Sequence, residues 1–269
     1  MSSRFLKLLF AILLLCSSFV FAQPRKLRIC ADPANPPFSS FSRNGFENRL
    51  ADLLARDMHV RVDYQWQRMG RGFVREFINK SRCDMVLGIP ANYRQMLTTD
   101  PYYRSSYVFV NRRDKHVDGL NLNHPALRKM RIGVQVLDDD YAPPAQALAR
   151  RGMQTNIVGF ETTGTEAASI IKAVATGKVD MAIVWGPPAG YFAKPYGRLL
   201  EITPVVPEVD PPALPFTFEI SMGVRKGNTA LRDRLDDFLK RRHRQIAAIL
   251  NEYRVPQLEM LNDESRKGD

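Results

Sequence analysis

Histidines are the first residues to test for acid-base or metal chemistry, because imidazole titrates near neutrality and ligates zinc. His59, His116, His124 and His243 are scattered, and none stands at metal-ligand spacing from another. No nucleophile elbow, phosphate loop or dinucleotide glycine pattern is present, and Gly70-Arg71-Gly72 lacks the third glycine of the last. No catalytic or metal-binding residue is therefore assigned, and the chain reads as a binder, not an enzyme. The remaining polar groups suit recognition. Arginines at 68, 71 and 75 could cover an acidic partner, although helix-flanking arginines are commonly just solvated. The acids of Leu137-Asp138-Asp139-Asp140 form either a metal-binding or partner-facing patch or, more simply, a solvated turn. Thr162-Thr163-Gly164-Thr165 could cradle an anion ahead of a helix, though capping explains it with less.

Such groups need elements to position them, and the hydrophobic pattern supplies these twice over. Residues 27–31 form a short apolar strand, broken by the rigid Asp32-Pro33-Ala34-Asn35-Pro36-Pro37-Phe38 loop. Phe46, Leu50, Leu53, Leu54 and Met58 recur at helical spacing, and Val60, Val62, Tyr64 and Trp66 alternate as in a strand. A second helical face at 73–78 and an apolar strand at 85–89 complete a βαβαβ unit, which implies right-handed crossovers and a mainly parallel sheet. Residues 107–110 leave this unit as a strand. The order repeats with strands at 130–136, 155–158 and 179–185 and helices at 144–151 and 166–176. A proline-rich stretch, 204–215, leads into an alternating strand at 216–224 that carries the chain back. Leu231, Leu235, Phe238, Leu239 and Ile246 then give a last helix its buried stripe. The expected architecture is two α/β lobes joined by two hinge strands over a cleft: residues 23–110 plus 218–269 as lobe 1, residues 111–217 as lobe 2.

The amino terminus reads as an export signal. Arg4 and Lys7 precede an apolar run too short to span a bilayer, and Val20-Phe21-Ala22 offers a cleavage site, so residues 1–22 are expected to be removed. That removal takes the formal charge from +11 to +9, and the 45% hydrophobic content suffices for a real core without any later membrane span. Excess positive charge in an exported protein excludes nucleic acid as an ordinary partner and leaves acidic proteins, anionic ligands and membrane surfaces, or plain solubility. Cys30 and Cys83 are the thiols left in an oxidising compartment. Their even number invites a disulfide, whereas their places, late in one strand and early in its parallel neighbour, argue for separation beyond bridging distance.

Taken in order, Cys30-Ala31-Asp32-Pro33 through Pro36-Pro37-Phe38, Gly45-Phe46-Glu47, Cys83-Asp84-Met85-Val86-Leu87-Gly88 and Pro101-Tyr102-Tyr103 resemble periplasmic solute-binding proteins of the polar amino-acid class. These belong to the family 3 extracellular solute-binding proteins, whose type II periplasmic-binding-protein fold is the implied fold class. Arg71-Gly72-Phe73-Val74-Arg75, Thr98-Thr99, Arg104-Ser105, Tyr107-Val108-Phe109-Val110 and Glu219-Ile220-Ser221-Met222-Gly223-Val224 narrow the match. They are similar to the J proteins of methanol oxidation, of the MxaJ and XoxJ type. That resemblance implies a monomeric periplasmic accessory of a quinoprotein methanol or alcohol dehydrogenase and its cytochrome c. Pyrroloquinoline quinone (PQQ) and metal are then expected in the partner, and none in this chain.

Amino-acid binding in that class takes an arginine for the ligand carboxylate and an acid for its ammonium. The resemblance places Arg94 near the first position, after a shortened loop. At the second, the strand after Gly177-Lys178-Val179-Asp180 ends in Trp185 where transporter relatives carry aspartate. The expected cleft residues are Asp32, Phe38, Trp66, Arg68, Arg71, Arg94, Tyr102 and Trp185. The alternative function is a solute-binding subunit of an ABC importer for a small ligand.

Overall fold

The computed structural model describes residues 25–68, 73–137 and 140–261. The expected export signal, Arg71, Asp138 and Asp139 lie outside them. Among the described residues no helix is long and apolar enough to cross a membrane.

Fourteen elements position the site. Strand β1 (Lys26–Ala31), helix α1 (Phe46–Met58), β2 (Arg61–Trp66), β3 (Met85–Pro90) and the long β4 (Tyr103–Arg112) come first. They are followed by β5 (Ile132–Leu137), α2 (Pro143–Arg150), β6 (Ile157–Glu161), α3 (Ser169–Ala175), β7 (Met181–Trp185) and α4 (Gly186–Ala193). Strands β8 (Leu200–Pro204) and β9 (Thr217–Val224) and helix α5 (Thr229–Glu252) end the chain. The continuous strand order is β6-β5-β7-β4-β9-β3-β1-β2, with β8 added on β4.

The two lobes share β4 and β9. The first residues of β4 pair antiparallel with the start of β9, Tyr103 opposite Ile220 and Ser106 opposite Thr217. The rest of β4 turns to β7 and β8, Tyr107 opposite Trp185 and Val108 opposite Pro204. The rest of β9 turns to β3. Parallel pairing is confined to the interiors of the lobes, β1 with β2 and β3, and β5 with β6 and β7. Strand β4 is buried along all but its last residue, as a strand covered on both faces must be.

Each lobe packs helices on both sheet faces. In the first, Phe46, Leu50 and Leu54 of α1 meet Leu235, Phe238 and Leu239 of α5, while Phe73, Val74 and Ile78 cover the other face with Val86 and Ile89. In the second, α2 buries Ala145 and Leu148 on one face, and α3 and α4 bury Ile171, Val174 and Ala189 on the other. The helical face expected at 73–78 is a single π turn, Val74–Ile78, whose wide i to i+5 bonding stacks two buried side chains before the chain enters β3. Helix α4 escapes the hydrophobic pattern because Pro187 and Pro188 punctuate its start, where proline's fixed φ and missing N–H are tolerated.

Cys30 and Cys83 are bonded, with Cα atoms 5.6 Å apart. The expectation of separation assumed an ideal ladder. Ile29 does oppose Met85, which would set Cys83 level with Leu27. Instead the chain turns over the sheet before joining it, in a turn held by Arg28, whose guanidinium bonds Asp84 at 2.6 Å and the Ser81 carbonyl at 2.6 Å.

The segment after α5 crosses from the first lobe to the second. Tyr253 stacks on Tyr191 of α4, the Ser105 hydroxyl donates to the Pro256 carbonyl at 2.6 Å, and the Leu258 amide donates to the Arg104 carbonyl at 2.9 Å. Gly190 admits this contact, because a Cβ there would lie 1.8 Å from the Arg254 carbonyl oxygen.

Candidate functional site

The carboxyl ends of β1 and β3 in one lobe and of β5 and β7 in the other open onto a cleft of about 430 Å³, within the size range of small-molecule sites. Asp32, Phe38, Arg68 and Trp185 line it, as expected, together with Glu47, Tyr103, Tyr107, Gln135, Thr162 and Phe218.

Three expected residues lie elsewhere. Trp66 stacks on Tyr64, ring centroids 4.5 Å apart, since side chains two apart share a strand face, and it reaches outward to Phe41. Tyr102 is committed to the core, donating its hydroxyl to the Leu87 carbonyl at 2.9 Å, and its neighbour Tyr103 takes the cleft position. Arg94 is exposed on the turn after β3, because the shortened loop reverses direction at Asn92 before reaching the cleft. Thr163 stands at a helix start, yet its hydroxyl donates to Glu161 at 2.8 Å and makes no cap, so the capping account of residues 162–165 is not how that threonine is used.

The far wall is aromatic. Trp185 closes β7, and its ring lies 5.5 Å from Tyr107 and 5.6 Å from Phe218, both on the hinge strands. Gln135 fixes this corner: its side-chain oxygen accepts the Trp185 amide at 2.7 Å, and its nitrogen donates to the Thr162 hydroxyl at 3.4 Å.

The near wall holds Glu47, in the first turn of α1 and 8% exposed. No hydrogen bond or ion pair reaches its carboxyl group among the described residues. Burial, with Asp32 adding like-charge repulsion, pushes its pKa up to about 8. Glu47 was legible in principle, since it stands three, four and seven residues before the buried Leu50, Ala51 and Leu54 and thus on the apolar stripe. Tyr103, Tyr107 and Phe218 gave no signal beyond being apolar residues in strands.

A carboxyl group whose pKa is raised in the fold binds its proton there more tightly than in the unfolded chain. Stability is therefore expected to fall as pH rises from about 4.5 to about 8 and to level off above. Glu47→Gln should flatten that dependence, as chemical denaturation at a series of pH values would show; an unchanged slope in the variant would refute the assignment.

A model of the bacterial extracellular solute-binding proteins, family 3, matches residues 27–255. Protein MoxJ of Methylorubrum extorquens is 31% identical over 255 residues, which cover 88% of this chain and 83% of that protein. The structure of MxaJ from Methlophaga aminisulfidivorans MPT superposes with a TM-score of 0.77 at 27% identity, covering 86% of this chain and 100% of the other. The periplasmic binding protein XoxJ from Methylobacterium extorquens AM1 superposes with a TM-score of 0.70 at 35% identity, over 87% and 100%.

Proposed function

The chain belongs to family 3 of the bacterial extracellular solute-binding proteins and is of the MxaJ and XoxJ type within it, and from that membership we propose that it is a periplasmic accessory of a PQQ-dependent methanol or alcohol dehydrogenase. On this reading it acts by protein-protein contact in maturation or activation, not by catalysis, and quinone and metal reside in the dehydrogenase. The observation that carries the reading is the combination of the MoxJ, MxaJ and XoxJ likeness with a cleft that has an indole, Trp185, where an ammonium-holding acid is expected, and has Arg94 outside its lining.

Charge distribution suits an acidic partner. Residues 25–110 and 218–261 carry 23 Lys and Arg against 14 Asp and Glu, while residues 111–217 carry 12 against 11. Arg25, Lys26, Arg61, Arg82, Arg225 and Lys226 are exposed where β1 and β2 begin and β9 ends, the pole of the sheet opposite the cleft. Exposed charges of one sign steer encounter and are screened by salt. Capture experiments with the dehydrogenase and cytochrome c from the same source are expected to give association at low ionic strength that weakens as salt rises. The triple change Arg82→Glu, Arg225→Glu, Lys226→Glu should weaken it by about tenfold or more. No association at low salt with cofactor-free or cofactor-loaded dehydrogenase overturns the reading.

A second reading, the solute-binding subunit of an importer, is favoured by one observation: the cleft has the volume of a small-molecule site and is lined by a buried acid. A ligand that raises the melting temperature at micromolar concentration would support it.

A further inference from the structure

We propose that the cleft takes a small organic cation, an amine or quaternary ammonium group seated on the Glu47 carboxylate and walled by Phe38, Tyr103 and the Tyr107, Trp185 and Phe218 corner. The proposal concerns the isolated chain and stands whether or not a dehydrogenase is its partner.

Other buried charges among the described residues are paired. Asp57 accepts from Arg241 and Arg242 at 2.6 Å each, Asp210 from Arg151 at 2.5 Å, and Arg104 donates to Glu208. Glu47 is buried to the same degree with no such partner among the described residues, and it faces the cleft. An unpaired buried charge is costly, so a site that keeps one is poised for a ligand that completes the pair. Gly88 leaves the room: a Cβ there would meet Glu47 Oε1 at 2.2 Å.

The walls select the same charge. Aromatic faces are electron-rich and attract cations lying over them. Of the other charged lining groups, Asp32 adds to the negative side and Arg68 opposes it, and both have contacts of their own. Glu47 is the surplus. A metal ion fits poorly, because hard cations take six or more oxygen ligands and no group of three or more metal-ligating side chains occurs among the described residues. The position of Glu47 in the first turn of a 13-residue helix favours its ionised form once a countercharge arrives.

The titratable groups near enough to act electrostatically on Glu47 are Asp32 and the hydroxyls of Tyr64, Tyr102 and Tyr103, with Arg68 elsewhere on the cleft lining. Burial holds all three tyrosines above the usual phenol range, so they stay neutral while Glu47 titrates. Binding a permanent cation must then expel the Glu47 proton at neutral pH.

Isothermal calorimetry with choline and with its neutral isostere 3,3-dimethylbutan-1-ol, from about pH 6 to about pH 9, tests this. Choline is expected to bind and the alcohol not. Choline's Kd should fall by about tenfold per pH unit up to about pH 8 and level off above, with matching proton release in buffers of different ionisation enthalpy. Glu47→Gln should cost more than about tenfold in affinity and abolish the pH slope. Trp185→Ala, which leaves Glu47 in place, should weaken choline while keeping the slope. Equal binding of choline and the alcohol, no saturable binding of choline, tetramethylammonium or methylammonium at about 10 mM, or full affinity in a folded Glu47→Gln protein overturns the proposal.

Discussion

Replacing Cys30 and Cys83 together is expected to lower the unfolding free energy by about 4 kcal/mol, because the bond closes a loop across a sequence separation of 53. The two sulfurs are buried among Phe73, Val74, Ile78, Val86, Ile89 and Met96. The alanine pair is therefore the cleaner variant, since serine would bury two hydroxyls as well. For a chain of this size each kcal/mol is worth about 2–4 °C, so the melting temperature should drop by about 8–16 °C. Calorimetry of the variant, and of the natural protein with and without reductant, checks the value. A drop below about 3 °C would mean that the loop is already constrained in the unfolded ensemble and the bond adds little. Because the lost entropy belongs to the unfolded chain, the folded variant should keep its cleft, and choline binding by the double alanine variant should match that of the natural protein.

The second large effect is expected from one methyl group. Gly190→Ala should destabilise the protein by about 3 kcal/mol, because the obstacle at 1.8 Å is a backbone carbonyl, which cannot swing aside as a long side chain does. The cheapest escape is for the segment after α5 to lift off α4, giving up the Tyr191 and Tyr253 stack and the hydrogen bonds to Ser105 and Arg104. Denaturant unfolding measures the cost. Small-angle scattering and limited proteolysis report the lift itself, as a larger radius of gyration and new cleavage near residues 253–258. A variant with natural stability and no new cleavage would show that the contact is slack.

Periodicity carried the frame of this fold, because each lobe repeats strand, helix, strand in segments whose apolar residues keep a clean period. The alternation of Val60, Val62, Tyr64 and Trp66 becomes β2, and the stripe of Leu235, Phe238 and Leu239 becomes the buried face of α5. Helix α4 and strand β8 were hidden by prolines, which punctuate a sequence even where they only begin a helix or end a strand. The cleft was harder to read, for a physical reason. Which of two adjacent tyrosines, 102 or 103, faces the ligand depends on the phase of a strand whose start no residue marks. The resemblance puts Arg94 at the cleft in spite of its shortened loop, and that loop turns back at Asn92 and leaves the side chain exposed. Glu47 could have been found, since an acid on an apolar helical stripe asks for an explanation wherever it occurs.

A body joined at two neighbouring points swings about the line through them, as lobes on paired strands do. The tail that runs along Arg104 and Ser105 of the hinge to α4 adds a third tie, Tyr253 on Tyr191, away from that line. With that tie in place, opening the lobes costs the Tyr191 and Tyr253 stack as well as bending two strands. A chain cut before residue 253 would lose that tie and be left with the two strands alone.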